Sequence, residues 1–224
     1  MNSAMIKRLI YKDWYFNRWA ILAYVAVGLL SVLALGAGHE MAFYAGSTLL
    51  ITVLVTIGAH LAMVTVIYER RDQTLAFVMT LPISPMEYTT AKVLANFAIF
   101  GLSWITLLIG TIAVIAGTAT VPDGLIPFSV VLLVQLFTGY CLMLAVALVT
   151  ESQGWTIGAL VLGNLLFQCV LYGLANLTDV GKDLTGNSIV WRQPVVAALG
   201  IEIAAILMIL ALTFYLQARK TDYL

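Results

Sequence analysis

Six apolar runs, each long enough to cross a bilayer, constrain this chain more than any other feature; they cover residues 19–38, 43–68, 95–119, 126–150, 155–175 and 194–217. A membrane helix needs about 20 mostly apolar residues to span a hydrocarbon core of about 30 Å. A membrane barrel would show short alternating segments instead of unbroken runs. Composition agrees: the 224 residues are 62% hydrophobic and 10% charged, with mean hydropathy +1.01. Soluble chains average about 45–50% apolar and about 25% charged, so a water-facing surface could not be built from this sequence. Disordered, collagen-like and disulfide-scaffold classes fall by the same figures, and zero net charge excludes nucleic acid as a bulk electrostatic partner. Cys141 and Cys169 lie within apolar runs, where buried free thiols are expected over a disulfide.

The ends of the runs carry punctuation. Gly36 and Gly38 close the first, Pro122, Asp123 and Gly124 separate the third from the fourth, and Pro194 sits where a helix accepts proline, in its first turn. The first run exceeds the roughly 7–15 apolar residues of a signal peptide and is read as a retained span. Nine Lys and Arg side chains (Lys7, Arg8, Lys12, Arg18, Arg70, Arg71, Lys92, Arg219, Lys220) flank the spans on one side, against Lys182 and Arg192 on the other. Positive charge stays inside, so both termini are expected in the cytoplasm and the chain in the plasma membrane, the inner membrane of a bacterium.

Little lies outside the lipid. Residues 4–18 read as an amphipathic interfacial helix, with Met5, Ile6, Leu9, Ile10 and Trp14 on one face and the basic residues largely on the other; the alternative is a basic leader with belt aromatics. Residues 176–193 form an external segment. Residues 69–91 are the only sizeable cytoplasmic handle. Within it, residues 73–81 suit a short helix with Leu75, Val78 and Met79 on one face, and Pro82 ends that stretch. Ser84-Pro85-Met86-Glu87 then matches a capping box, from which one helix can run to residue 119. Such a helix would be about 50 Å long and must project from the lipid. An ordinary loop followed by a kinked helix fits the same spacing.

In this segment the chain resembles the permease subunits of type-2 ABC transporters. The shared elements are Glu69 at the end of the second span, Thr74-Leu75 in the short helix, the turn Leu81-Pro82-Ile83-Ser84, then Glu87 and Lys92 opening the third span. Six spans, inside termini and an excursion before the last span match in layout. Asp72-Gln73 departs from the glycine that many members carry before the short helix. The resemblance implies an all-α integral membrane protein, with six transmembrane helices, an N-terminal interfacial helix and a cytoplasmic coupling helix between spans two and three. It also implies an exporter permease driven by a separate cytoplasmic ATP-binding cassette subunit, which would hold the ATP and Mg. A second copy of the chain or a paralogous permease would complete the transporter. Contact with the ATPase falls to Glu69, Arg70, Arg71, Asp72, Leu75, Met79 and Glu87. Independently of the resemblance, no G-x-x-x-x-G-K-[ST] sequence is present, so this chain has no P-loop for ATP.

Polar residues inside the spans are costly and usually face protein or water. Glu202 and His60 lie deep in their spans, and helical rise brings Gln135 and Gln168 near the level of Glu202, with Asn164 one turn deeper. Gln135, Asn164, Gln168 and Glu202 either line a translocation path or serve as inter-helix hydrogen bonds, worth about 0.6 kcal/mol each. Gly154, Gly158 and Gly163 suit close helix approach. Asn176-Leu177-Thr178 is a formal glycosylation sequon. Neither G-x-S-x-G nor H-E-x-x-H occurs, so an intramembrane enzyme has no visible machinery, and no metal site is expected. A secondary transporter or channel-like subunit working without an ATPase is the remaining alternative; it would favour internal repeats and mid-span prolines, which are not found.

Overall fold

The computed structural model describes residues 3–71 and 85–219, and the described residues form helices and short connections with no strand. Helix α1 spans Ser3–Leu35 and α2 spans Glu40–Ala62, continuing through a π-helical turn at Met63–Ile67 into α3, Tyr68–Arg71. Then follow α4 (Pro85–Gly117), α5 (Leu125–Thr150), α6 (Gln153–Ala175), the short α7 (Thr178–Asp183) and α8 (Gln193–Arg219). Six of these, with the α2 span reaching Ile67, are long and apolar enough to cross a membrane. The start of α1 and the end of α8 share what is called here the basic face.

The interfacial stretch expected over residues 4–18 is continuous with the first span: both lie in α1, which runs unbroken for 33 residues. No glycine or proline interrupts it before Gly28, and sharp kinks need such a residue or an inserted group. Asp13 and Asn17 are buried one turn apart between Leu9 and Ile21, which anchors these early turns against the bundle. Helix α4 likewise runs unbroken for 33 residues, a length of about 50 Å. The expected short helix over 73–81, with Asp72, Leu75, Met79 and the Ser84 cap, lies outside the described residues.

Helix α5 is the hub. It carries no charged residue, and a helix apolar on every side belongs in an interior. It packs against α6, α8, α4 and α2, while α1 packs against α2 and α4. Helices α6 and α8 are the least covered, and Leu165, Leu166, Ile201 and Leu207 point outward, as lipid-facing residues do. Several hydroxyls in the spans donate to their own helix, as with Thr52 to the Thr48 carbonyl and Thr111 to that of Leu107, both at 2.8 Å, so these donors are satisfied without water. Both cysteines are free; Cys141 is buried, but Cys169 is exposed on α6.

Small residues set two crossings. Gly139 of α5 meets Gly163 of α6, where a Cβ on Gly163 would lie 3.4 Å from the Gly139 Cα. Gly46 of α2 is tighter, since its Cβ would lie 2.7 Å from the Ser31 carbonyl oxygen of α1. Gly158 meets nothing within 4 Å, and Gly154 meets only Ser152, so this pair makes no close helix approach within the chain. At the face opposite the basic one, Gly38 turns the chain with φ +77°, and the Gly124 N–H donates to the Gly186 carbonyl at 2.9 Å. Arg192 donates to Asp183 at 2.6 Å and 3.2 Å, and these hydrogen bonds hold the Asp183 carboxyl below the usual carboxylate range.

Gly46→Ala is therefore expected to lower stability by about 1–3 kcal/mol, because its neighbour is backbone that cannot swing aside. Gly158→Ala is expected to be neutral; thermal unfolding of the two variants in detergent compares them.

Candidate functional site

Four charged side chains meet inside the bundle near the basic face. Lys92, in the second turn of α4, is buried, with its Nζ 2.8 Å from Asp13 Oδ2 of α1 and 2.8 Å from Glu69 Oε2 of α3. Lys12 reaches the other Glu69 oxygen and lies 3.7 Å from Asp13. The Tyr88 hydroxyl donates to Glu69 Oε2 at 3.1 Å. Two ammoniums and two carboxylates balance, which is what allows them out of water; an unpaired buried charge would cost several kcal/mol. Burial pushes the Glu69 carboxyl up, but the Lys92 and Lys12 ammoniums outweigh it and hold the group below its ordinary range.

From Lys92 a chain of hydrogen bonds runs toward the middle of the bundle. Asn96, one turn further along α4, donates to the Lys92 carbonyl at 2.9 Å and to Thr65 Oγ1 at 2.9 Å. Thr65 sits in the π-helical turn, an irregularity found frequently at functional sites. The Tyr140 hydroxyl of α5 donates to Asn96 Oδ1 at 3.1 Å, and its ring stacks on Phe100 at 3.9 Å. Gly58 leaves room for that ring, since a Cβ there would lie 2.9 Å from Tyr140 Cδ2. A parallel branch on α1 joins Asn17 Oδ1 to His60 Nε2 at 3.1 Å, which gives that deep histidine a partner.

Tyr140 also borders a crease between α2 and α6 floored by α5. Its inner part is a small cavity of about 30 Å³, room for about one water, and Gln135 and Asn164 line it together with Tyr140. The crease widens toward the opposite face into a chamber of about 530 Å³, joined to the small cavity at Leu136. Among the described residues no His, Cys, Asp and Glu group of three could hold a metal ion.

The positions read from the sequence thus fall in different places. Gln135 and Asn164 come together at one cavity. Gln168 is exposed on α6. Glu202 is buried on the face of α8 that also buries Thr213 and Gln217, with no hydrogen-bond partner for either carboxylate oxygen, and it does not line the crease. Glu69 points inward into the charge cluster, Arg71 is exposed, and Glu87 is half-buried on the first turn of α4. Asp13, Lys12, Tyr88, Asn96 and Tyr140 escape a reading by segments because they gather from three helices, α1, α4 and α5. The usable signal was the spacing Leu9, Asp13, Asn17, Ile21, which lays two polar residues on a buried stripe.

Six helices long and apolar enough to cross a membrane, one of them an uncharged hub, define a polytopic membrane protein with a buried charge cluster and an apolar crease. A family model described as ABC-2 type transporter matches residues 4–176. The chain belongs to that family and is a permease subunit. No curated protein and no solved structure matches it.

Lys92→Met would leave Asp13 and Glu69 with only Lys12, and the expected cost is about 3–5 kcal/mol, the range for breaking a buried pair. Adding Asp13→Asn should recover part of it; a double-mutant cycle on thermal unfolding in detergent measures this. Because Glu69 titrates lower in the folded chain than in the unfolded one, its contribution is full above the ordinary carboxylate range, about pH 4.3. It is lost as pH falls through the lower folded value. Glu69→Gln is expected to flatten that acid-side loss in a pH series of melting temperatures.

Proposed function

We propose that this permease works as the membrane half of an ATP-driven exporter in the plasma membrane, with both termini cytoplasmic. A separate cytoplasmic ATP-binding cassette subunit, holding ATP and Mg, docks on residues 69–91. Family membership and the absence of a P-loop in this chain both support that division of labour. The observation that carries the reading is the 2.8 Å ion pair between Glu69 and Lys92, together with the 2.8 Å pair between Lys92 and Asp13. Glu69 and Lys92 bound the segment at its two ends, so force applied to it reaches α1, α3 and α4 as one unit. The hydrogen bonds through Asn96 and Thr65 then lead to Tyr140, at the wall of the cavity lined by Gln135 and Asn164.

In this reading the crease is half of the translocation path, and a second copy of the chain or a paralogue supplies the facing wall. Gln168, exposed on α6, would meet that partner, and Glu202 supports the path from behind α5. Arg70, Arg71, Asp72, Leu75, Met79 and Glu87 form the ATPase contact, with Glu69 fastening it to the bundle.

Replacing both Arg70 and Arg71 by Glu is expected to abolish association with the ATPase while leaving membrane insertion and helix content intact. Affinity purification of the variant in mild detergent, followed by identification of co-eluting subunits, reads the outcome. A stoichiometric ATPase on the double variant would defeat the proposal.

A further inference from the structure

The chamber in the outer part of the crease has chemistry of its own. Its volume of about 530 Å³ falls within the range of about 300–1,000 Å³ typical of small-molecule sites. None of its seventeen lining residues is charged, and Phe43, Ile51, Ile115, Phe128, Leu132 and Leu171 dominate the wall. Of its six hydroxyls, Ser47 donates to the Phe43 carbonyl at 2.8 Å and Thr111 to the Leu107 carbonyl at 2.8 Å; Tyr44, Thr48, Ser129 and Tyr172 supply the others. A sugar or a charged peptide would need more partners than these to replace its hydration. An apolar body loses nothing and gains burial.

The mouth differs. A second cavity of about 420 Å³ continues from the chamber, sharing Leu35, Phe43, Tyr44 and Leu125, and is edged by His39, Glu40, Thr120 and Thr185. Glu40 is the carboxylate on this rim, and no lysine or arginine lines either cavity. The exposed rings of Tyr44 and Tyr172 flank the opening, and aromatic faces attract cations. Apolar walls, a rim with one carboxylate and no lysine or arginine, and aromatic edges together select for one kind of molecule.

We propose that the chamber binds amphiphiles with a compact apolar body and a cationic group, the body among the α2, α4 and α5 side chains and the charge at Glu40. This names the cargo class of the crease and rests on its reading as part of the translocation path. The test uses the purified full chain in nanodiscs of zwitterionic lipid, with empty nanodiscs subtracted. Tetraphenylphosphonium and tetraphenylborate serve as probes, since they are nearly equal in shape and opposite in charge. Saturable binding of the cation is expected, about tenfold tighter than the anion, the scale of an opposite against a like charge at a solvent-facing carboxylate. Ser129→Trp, which fills the chamber, should abolish saturable binding of both ions. Glu40→Gln should erase the preference between them and keep the binding. If Ser129→Trp does not fold, Thr48→Trp on the exposed rim is expected to give the same loss.

Equal binding by the filled variants, a preference for the anion, or no saturable binding by the native chain would overturn the proposal. A chamber closed by a second copy of the chain gives the last of these results. The assay needs no ATPase, so failure here with an ATPase still co-purifying refutes the cargo class and leaves the permease reading standing.

Discussion

An ammonium group shut away from water between two carboxylates is the constraint around which the rest of the molecule is organised. Lys92 is almost fully buried, and Asp13 and Glu69 each lie 2.8 Å from its Nζ. That requirement fixes three helices at once, since α1, α3 and α4 must each deliver one member to the same point. It also accounts for the early turns of α1 packing on the bundle. Its polar residues on the inward stripe, Asp13 and Asn17, find partners across the bundle in Lys92 and His60.

The spans were legible because length and hydropathy are properties of a segment, and lipid enforces them segment by segment. The helix beginning at Pro85 was legible too, since proline suits the first turn and no second proline follows until Pro122. Pairings over long separations were not. Asp13 and Lys92 stand 79 positions apart, and a charged residue at the end of a span looks the same in sequence whether it faces water or a buried partner. Glu69 shows the ambiguity: read as a surface contact, it turns inward. Depth arithmetic brought Gln135 and Asn164 to one level and they do share a cavity, but depth carries no azimuth. Gln168 lies on the outside of α6, and Glu202 faces another side of the hub.

The hub helix divides the molecule into two kinds of interior. Toward the basic face, its Tyr140 joins a polar chain in which every contact is a hydrogen bond of defined length. Toward the other face, the same helix floors a chamber whose wall is uncharged and mostly apolar. Polar networks are directional and rigid, whereas an apolar wall accommodates varied shapes. The proposed division, drive at one end and cargo along the other, would use both interiors, and α5 belongs to each.

The π-helical turn at Met63–Ile67 carries a consequence for how such a chain tolerates change. A π turn closes over one more residue than an α turn, so the extra residue is absorbed within it and Tyr68 to Arg71 keep the azimuth they would have after plain α-helix. Deleting a single position there would leave Glu69 still facing its partner. The same deletion elsewhere in α2, where the helix advances about 100° per residue, would swing Glu69 about a quarter-turn away, stranding a cation in the dark. Length changes in this span are thus penalised by phase rather than by length, and the π turn is the place that forgives them.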